Sequence, residues 1–249
     1  MTTTTTPATT QALRLEFVTG RPAPDVLACE AEVFGRWYGN TADDLELAYG
    51  PYEEATGWIV LRSDDGVVGW CRVLMPGARP LKTITDVAAP PWSLDGAAAA
   101  RAAGVDLTRT WDVATIGVHD RAGGARRLAS AALYHGLVLS SWVNGAAWMV
   151  AILDRHVLAL LEQVGLTGRP LPGAEPRPYF GSPSSLPVYA EFAQSLRRQR
   201  LTHPDAYRAV ALGAGLTGVE VPPLAAFLAP QTVTVDLTEA DERTVGAPA

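Results

Sequence analysis

The sequence predicts an α/β fold, a three-layer α-β-α sandwich in which helices cover both faces of a central mixed sheet. The first observation is a hairpin signal, because the apolar runs 58–62 and 67–75 flank an Asp65-Gly66 turn. The second is the stretch 111–166, in which strand-like and helix-like patterns alternate. Strands that alternate with helices pair in parallel, whereas a hairpin pairs antiparallel, so the expected sheet is mixed.

Within the stretch 111–166 the order is strand, helix, strand, helix. A β-branched run at 113–118 predicts a strand, and the nearly uncharged segment 128–143 predicts a buried helix. A second apolar run at 146–153 predicts another strand. Asp154 is a good N-cap residue for the amphipathic helix that follows, and Gly165 is suited to end that helix.

The other elements are shorter. Before the hairpin, the patterns predict a strand at 14–18, a helix at 24–38 and a short helix near 41–49. The Pro-, Ala- and Gly-rich segment 76–110 is predicted as a long loop with a short helix at 96–103. After Gly165, we expect a loop at 167–178, a strand at 179–189 interrupted by a serine and proline turn, a basic helix at 191–200, weak helical character at 205–216 and an edge strand at 232–237.

These elements suggest one domain with extensions. Residues 1–11 form a threonine-rich leader that we expect to be disordered, because it has too little apolar content to order itself. Residues 12–190 would form the α/β domain. Residues 191–249 would form a C-terminal helical extension and tail packed on the same domain.

Composition narrows the functional classes. The chain has 249 residues, of which 48% are hydrophobic and 18% charged, and a net charge of −6. A nucleic-acid-binding domain generally has a basic surplus, so nucleic acid is not an expected partner. No apolar run approaches the length that spans a bilayer, so we expect no membrane partner. Either a monomer or a homodimer is compatible with the sequence.

The cysteines and histidines give no sign of a metal site. Cys29 and Cys71 are far apart, and the four histidines lack the spacing of metal ligands. The chain begins without a charged and apolar targeting pattern. We therefore expect reduced thiols, a cytoplasmic location and no metal.

The loop between the predicted strand 113–118 and helix 128–143 suits an anion. It combines two adjacent glycines with basic side chains where a helix begins, and free backbone N–H groups and the helix dipole favour negative charge there. Its basic and glycine residues are Arg121, Gly123, Gly124, Arg126 and Arg127. The loop has neither the Walker pattern nor GxGxxG. The alternative is an ordinary turn with surface arginines.

Two segments resemble the GNAT acyltransferases. Arg121-Ala-Gly-Gly124-Ala-Arg126 resembles their coenzyme-A-binding loop, Q/R-x-x-G-x-G/A, except that Arg126 replaces a small residue. The segment from Asp154 to Leu166 is similar to their N-x-x-A-x-x-L-Y-E-x-x-G-F signature at matching offsets. Leu161 stands where many of these enzymes have the tyrosine that protonates the leaving thiolate. If the chain is such an enzyme, that acid comes from elsewhere or is dispensable.

The N-terminal half is most similar to one branch of this family, the acyl-homoserine-lactone and N-acyl amino acid synthases. Glu32-Val-Phe34-Gly-Arg36-Trp37 is similar to their R-x-x-V-F-x-x-R-x-x-W opening without the leading arginine. Gly69-Trp-Cys-Arg72-Val-Leu-Met-Pro76 is close to their G-x-x-R-L-x-P strand. Trp111-Asp112-Val-Ala-Thr115 corresponds to W-E-x-x-R, with Asp for Glu and Thr for Arg.

The resemblance implies where the cosubstrate binds. In the GNAT fold the sheet opens beside the fourth strand, whose free backbone groups hold the pantetheine arm of coenzyme A. Here those groups belong to Ile116, Gly117 and Val118. The pyrophosphate would lie on Gly123, Gly124, Ala125, Arg126 and Arg127, with charge added by Arg121.

Candidate catalytic and substrate-binding residues follow from the same comparison. Asp112 matches an acidic position of the synthases and is the first candidate base; the alternative is a strand-end aspartate that accepts from backbone donors. His119 is the second candidate, or a histidine that faces solvent. Trp37, Glu53 and Arg72 are candidates for substrate binding, although Arg72 is equally compatible with a structural ion pair. Tyr179 and Tyr189 are possible replacements for the missing tyrosine acid.

The expected function is therefore N-acyl transfer from acyl-CoA, or from an acyl carrier protein, to the amine of a small molecule or amino acid. Acyl-CoA or acetyl-CoA would be the cosubstrate, and no metal is required. Two alternatives stay open: a catalytically inactive acyl-CoA-binding domain of GNAT type, and a simple acetyl-CoA-dependent acetyltransferase.

Overall fold

The computed structural model describes residues 12–230. Its strands form one mixed sheet of nine strands in the order β6-β8-β5-β4-β3-β2-β1-β9, with β7 paired to β8. The strands are β1 (Leu13–Thr19), β2 (Thr56–Ser63), β3 (Gly66–Leu74), β4 (Thr110–Val118), β5 (Trp148–Asp154), β6 (Arg169–Pro170), β7 (Arg177–Tyr179), β8 (Ser182–Glu191) and β9 (Val219–Glu220). The predicted fold class, helices around a central mixed sheet, is confirmed.

The described part of the chain contains eight α-helices and four short 3₁₀ segments. The helices are α1 (Pro24–Tyr38), α2 (Ala42–Tyr49), α3 (Lys82–Asp86), α4 (Gly96–Ala102), α5 (Arg126–Val143), α6 (Arg155–Glu162), α7 (Phe192–Thr202) and α8 (Pro204–Leu212). The 3₁₀ segments are Gly50–Ala55, Leu107–Arg109, Asp120–Ala125 and Leu224–Phe227. In this part of the chain, no helix is both long enough and apolar enough to span a bilayer.

The predicted hairpin forms β2 and β3. Gly66 has φ of 113°, which L side chains rarely adopt, so the glycine after Asp65 is what permits the tight turn. Both strands are buried along almost their whole length, because helices cover both faces of the sheet. This explains why their sequence reads as continuous apolar runs instead of an alternating pattern.

The two faces of the sheet have separate cores. On one face α5 packs over β1 to β4, and the buried cluster includes Ile59, Leu133 and Phe227. On the other face α1 packs over β3, with Val26, Trp58 and Trp70 in the cluster. Both cysteines are free thiols, Cys29 in the α1 core and Cys71 in the α5 core.

A β-bulge interrupts β4 and opens the sheet. Arg72 pairs with Thr115 and Val73 with Val113, so Ala114 is an extra residue on β4. The parallel pairing of β4 with β5 runs only from Thr110 to Asp112. Beyond Asp112 the two strands separate, and the backbone groups of β4 on that side face a gap.

Some local predictions need correction. The loop predicted at 76–110 also contains α3, whose Thr83 backbone N–H is held by the Asp112 carboxylate at 2.5 Å. The turn within the predicted strand 179–189 is at Phe180-Gly181, before the serine and proline residues, because these two residues take the positive φ values of a tight hairpin. The weak helix at 205–216 ends at Leu212.

The C-terminal segment completes the α5 face. α8 packs on α5, where His135 Nδ1 lies 2.9 Å from the Val210 carbonyl oxygen. Phe227 is fully buried, and Asn144 Nδ2 donates to its carbonyl oxygen at 2.8 Å. The predicted leader at 1–11 and edge strand at 232–237 lie outside the described residues.

Candidate functional site

The gap between β4 and β5 lies where two pockets meet. One pocket, which we call the apolar pocket, lies on the α5 face, and the other, the aromatic pocket, lies on the α1 face. Ile116 of β4, Leu153 of β5 and Val157 of α6 line both pockets. The sheet is therefore open from one face to the other at the place where its two parallel strands separate.

The apolar pocket encloses about 790 Å³ including its open mouth. Side chains of α5, α6 and α7 form its walls, and most of them are aliphatic, among them Leu137, Leu161 and Leu196. Tyr134 is the one titratable side chain among the described residues that line it, and burial raises the pKa of that phenol to about 12. The pocket suits an apolar chain, and its single phenol keeps its proton at neutral pH.

The aromatic pocket encloses about 540 Å³ including its mouth. Five rings line it together with one carboxylate and several hydroxyls. The rings are those of Phe34, Tyr38, Tyr49, Tyr179 and Phe180; the polar groups are Asp154, Thr115, Ser182 and Ser185. Asp154 caps α6 by accepting from the His156 N–H at 2.6 Å, and its other oxygen accepts from the Ser182 hydroxyl at 2.5 Å.

The loop between β4 and α5 forms the 3₁₀ segment at 120–125. Gly123 has φ of 48°, a conformation that requires glycine, and both Gly123 and Gly124 are exposed with open space beside their Cα atoms. In the described structure no side chain caps the N-terminus of α5, which begins after Ala125. The Arg126 N–H donates to the Gly123 carbonyl oxygen, but no side-chain acceptor competes with an anion for the positive end of this 18-residue helix.

The three arginines of the loop have different partners. The Arg121 guanidinium folds back on the His119 ring, with Nε donating to Nδ1 at 2.9 Å. Arg126 bonds Asp120, which also pairs with Arg36. Arg127 is exposed and forms no ion pair within residues 12–230. Of the predicted phosphate-binding arginines, Arg127 is the one that needs no rearrangement to meet a ligand.

Replacing Arg127 by glutamine should weaken coenzyme A binding at low salt by about threefold to fivefold, because one exposed cation is worth less than about 1 kcal/mol. It should also flatten the decline of affinity with ionic strength, since salt screens exposed charges over about 8 Å at physiological strength. Isothermal titration at two salt concentrations measures both effects. Arg208→Gln, on α8, is the control for the loss of a surface charge, and equal effects of the two variants would contradict the assignment.

A valine at position 124 should fold normally but bind coenzyme A at least about tenfold more weakly. An added Cβ at Gly124 meets no atom within 4 Å, so the protein accommodates it. The branched side chain would occupy the space in front of the loop amides, where hydrogen bonds to a charged phosphate are worth about 1.5–3 kcal/mol each. Unchanged affinity in a variant with native thermal stability would mean that the pyrophosphate binds elsewhere.

Asp112 lies at the vertex of the gap, but its carboxylate turns away from both pockets. It is 1% exposed and accepts from the Thr83 N–H at 2.5 Å and the Thr83 hydroxyl at 2.9 Å. Burial raises the pKa of Asp112 to about 7, against the lowering effect of the Thr83 donors and Lys82. These contacts are those of a strand-end aspartate that accepts from backbone and side-chain donors, which was the alternative to a base.

His119 is buried at the end of β4, with both ring nitrogens engaged. Nδ1 accepts from the Arg121 N–H at 3.0 Å, and Nε2 lies 2.9 Å from Glu32 Oε1. His119 therefore shapes the start of the 120–125 segment and faces neither pocket. Its predicted catalytic role finds no support in this placement.

The three predicted substrate-binding residues do not lie together in one site. Trp37, in the last turn of α1, is 67% exposed and lines none of the three pockets described. Glu53 and Arg72 line a smaller pocket of about 270 Å³ beside Tyr49, where Glu53 bonds Arg21 at 2.8 Å. Trp142, near the end of α5, is likewise a surface residue and is 70% exposed.

Arg72 belongs to a buried polar network. Its guanidinium pairs with Glu30 of α1, and lies 4.3 Å and 4.2 Å from the ring centroids of Tyr49 and Trp58. Glu30 also accepts from the Thr115 hydroxyl, which accepts from Trp70 Nε1 at 3.2 Å. Arg72 Nε is buried without a partner. The structural ion pair, one of the two roles considered for Arg72, is thus present.

Gly117 has a structural explanation beside its predicted role at the cosubstrate. A Cβ there would lie 2.4 Å from the Trp70 ring, so only glycine allows this tryptophan to pack on β4. Ile116 and Val118 pack toward the α5 core. Among the described residues, no group of three His, Cys, Asp or Glu side chains is placed to hold a metal ion.

Comparison with solved structures identifies the fold. FeeM, an N-acyl amino acid synthase from uncultured soil microbes, matches with a TM-score of 0.55 and 10% identity, over 76% of this chain and 94% of that chain. A CoA-dependent acyl-homoserine lactone synthase, BjaI, matches with a TM-score of 0.50 and 16% identity, over 87% and 97%. A Desulfovibrio desulfuricans protein described as a GNAT-family acetyltransferase matches with a TM-score of 0.45 and 12% identity, over 71% and 98%.

The chain shares its fold, a GNAT-like arrangement of helices around a mixed sheet, with FeeM and BjaI. No protein-family model matches the chain, and no curated protein matches its sequence. The position that carries a tyrosine in the GNAT signature is Leu161 in this GNAT-fold protein, and its side chain lies in the apolar pocket.

Several residues of the pockets escaped the sequence comparison. Tyr134 was read only as part of a buried helix, Asp154 only as an N-cap, and Phe180 only as part of a strand. A signal existed for Phe180, because the Gly181 that follows it is a turn residue. None existed for Tyr134, since nothing in the spacing of α5 distinguishes a residue that faces the core from one that faces a pocket.

Proposed function

We propose that the protein is an N-acyltransferase that moves an acyl group from acyl-CoA, or from an acyl carrier protein, to the amine of a small molecule. One observation carries the proposal: β4 and β5 separate after three paired residues and join a pocket on each face of the sheet. Such a passage lets a thioester enter from one side and an amine from the other. The two meet at the gap in a geometry that brings the reacting atoms together.

The donor would lie on the α5 face. Its pyrophosphate would bind at the uncapped start of α5, with Gly123, Gly124 and Ala125 allowing close approach and Arg127 adding charge. Its pantetheine would run along the side of Ile116, Gly117 and Val118 that β5 does not pair, since β3 pairs their other side. The acyl chain would occupy the apolar pocket, whose aliphatic walls favour an alkyl chain over acetyl.

The reaction needs one bond to form and one to break. The ammonium first gives one proton to water or a carboxylate, and the neutral nitrogen attacks the thioester carbonyl. The C–S bond then breaks, the thiolate leaves, and the second nitrogen proton completes the thiol. An apolar site lowers the cost of this step, because it excludes water from the carbonyl while the amine is held close.

Tyr134 is our candidate for the group that relays this second nitrogen proton: its hydroxyl protonates the thiolate and takes up the proton from the nitrogen, and it faces the apolar pocket together with Leu161. Replacing Tyr134 by phenylalanine should lower kcat about tenfold and leave the KM for the donor nearly unchanged. The loss is modest because a thiol has a pKa near 8.5 and its thiolate leaves readily. Initial rates of thiol release measure both constants. Tyr207→Phe, on α8, is the control; equal kcat in both variants would remove Tyr134 from the reaction.

A second candidate function is a catalytically inactive acyl-CoA-binding domain. The observation in its favour is Leu161, which leaves the signature position without an acid. This domain would bind the donor through the same loop and pocket but release no thiol.

The decisive experiment combines binding with turnover. Thermal shift with coenzyme A, acetyl-CoA, octanoyl-CoA and an acylated carrier protein tests donor binding, and thiol release in the presence of an amine panel tests transfer. We expect octanoyl-CoA to stabilise the protein more than acetyl-CoA. Stabilisation without thiol release for any amine would favour the inactive binding domain. Absence of stabilisation by every donor would refute both candidates.

A further inference from the structure

The aromatic pocket has the chemistry of a site for an organic cation. Among the residues that line it, Asp154 is the one charged side chain, and no lysine or arginine is present. Five aromatic rings surround the remaining space, and ring faces attract cations. Asp154 already accepts one bond on each oxygen, but each carboxylate oxygen can accept a second. An ammonium group could therefore bind Asp154 without displacing its present partners.

The basic residues nearest the pocket are already neutralised. Lys82 Nζ lies 5.2 Å from the Tyr49 ring centroid and 5.8 Å from that of Tyr179; it does not line the pocket, donates to the Tyr179 hydroxyl at 3.1 Å and is paired with Asp86. Arg72 lies behind Tyr49 and is paired with Glu30. A carboxylate on a bound ligand would thus find no free cation in the pocket. Its burial without a partner would be costly.

Phe180 shapes the pocket from the β7–β8 turn. It has φ of 49°, a strained conformation for an aromatic residue, and a Cβ at the adjacent Gly181 would lie 2.1 Å from the Tyr38 carbonyl oxygen. The turn is therefore pressed against the end of α1. In this position the Phe180 ring lies 6.0–6.4 Å from the ring centroids of Phe34, Tyr49 and Tyr179.

We propose that the acyl acceptor is a primary amine with an aromatic or bulky apolar body and no carboxylate, held by Asp154 through its ammonium group and by Phe180 through its body. The inference rests on the proposed function, because it assigns the aromatic pocket to the amine. It excludes free amino acids as preferred acceptors. Asp154 and Phe180 are the residues that determine this specificity.

The test compares two acceptors that differ only in a carboxylate, phenethylamine and L-phenylalanine. Isothermal titration of each into the protein saturated with coenzyme A measures acceptor binding independently of turnover. We expect phenethylamine to bind at least about tenfold more tightly, because the carboxylate of L-phenylalanine would be buried without a cationic partner.

Two variants with matched controls test the residues. Asp154→Asn preserves the N-cap of α6, because asparagine caps as well as aspartate, and should weaken phenethylamine binding by about 10- to 100-fold. Its control, Glu162→Gln, removes one charge from the far end of the same helix. Phe180→Gly relieves the backbone strain and should weaken binding by about tenfold. Its control, Ser93→Gly, relieves the other positive φ of a non-glycine residue among residues 12–230, 53°, at a position that does not line the pocket.

The outcomes separate this inference from the proposed function. The inference on the acceptor is supported if the protein prefers phenethylamine and if this preference decreases in Asp154→Asn but not in Glu162→Gln. Equal or tighter binding of L-phenylalanine overturns it, even if acyl transfer is observed. Failure of both compounds to bind also overturns it. Failure of the donors to bind would instead refute the acyltransferase proposal and with it the role of the amine as acceptor; the same titrations without coenzyme A would then decide whether the aromatic pocket binds the amine.

Discussion

Replacing Glu30 by glutamine should lower the free energy of unfolding by about 3–5 kcal/mol, because it leaves the buried Arg72 guanidinium without its counter-charge. Glu30 is 1% exposed, and its carboxylate joins α1 to the sheet by bonding Arg72 of β3 and Thr115 of β4. Burial raises the pKa of Glu30, although Arg72 and Thr115 oppose the rise. Chemical denaturation monitored by tryptophan fluorescence measures the loss.

A double-substitution cycle distinguishes an unpaired charge from a lost contact. Arg72→Met alone removes the cation and leaves Glu30 buried and unpaired, so it should also be costly. Glu30→Gln combined with Arg72→Met removes both charges, and the pair of apolar and neutral side chains should recover much of the stability. If the stability loss in the double variant equals the sum of the losses in the two single variants, the interaction between Glu30 and Arg72 does not contribute to stability. If Glu30→Gln lowers the free energy of unfolding by less than about 1 kcal/mol, the Arg72 guanidinium is not buried as an ion pair in the folded protein.

The same network shows which parts of the fold were predictable. The hairpin and the order of elements in 111–166 followed from apolar periodicity and the Asp65-Gly66 turn, which are local signals. Helix α1 was predicted from the spacing of its apolar residues with its observed limits, and the structure has Pro24 in its first turn and Gly39 at its C-cap. The partnership of Glu30 with Arg72, which lie 42 positions apart, has no local signal.

The candidate site was less predictable for the same reason. The bulge at Ala114 lies just past the point where β4 and β5 stop pairing, yet an alanine between Val113 and Thr115 has no feature that marks a bulge. Helix α3 has only five residues in a Pro- and Ala-rich segment, and its first turn is held by Asp112 from β4. Phe180 takes a left-handed conformation that its residue type disfavours. Each of these features depends on tertiary contacts that no single segment encodes.

Replacing Asp112 by asparagine should remove a pH dependence of stability that is specific to this carboxyl. Burial raises the pKa of Asp112 to about 7 in the folded protein, from the 3.8 that is usual for an aspartate. Between these two pH values the folded state binds the proton on Asp112 and the unfolded state does not. The stabilisation that this proton gives to the folded state is therefore present at pH 4 and is lost as the pH rises through about 7. Asparagine resembles the protonated form, because it can accept from the Thr83 N–H and donate to the Thr83 hydroxyl.

We therefore expect the unfolding free energy of the parent protein, relative to Asp112→Asn, to fall by up to about 4 kcal/mol between pH 4 and pH 8. Denaturation of both proteins across this range measures the difference, and Asp43→Asn at an exposed position of α2 is the control. A difference that is flat or rises with pH would show that Thr83 and Lys82 hold the carboxyl ionised.

Turnover provides a second readout of Asp112→Asn. Because the carboxylate lines neither pocket, its removal should alter kcat by less than about tenfold. A loss of about 10²- to 10⁴-fold with unchanged donor affinity would instead assign Asp112 as the base that takes the amine proton.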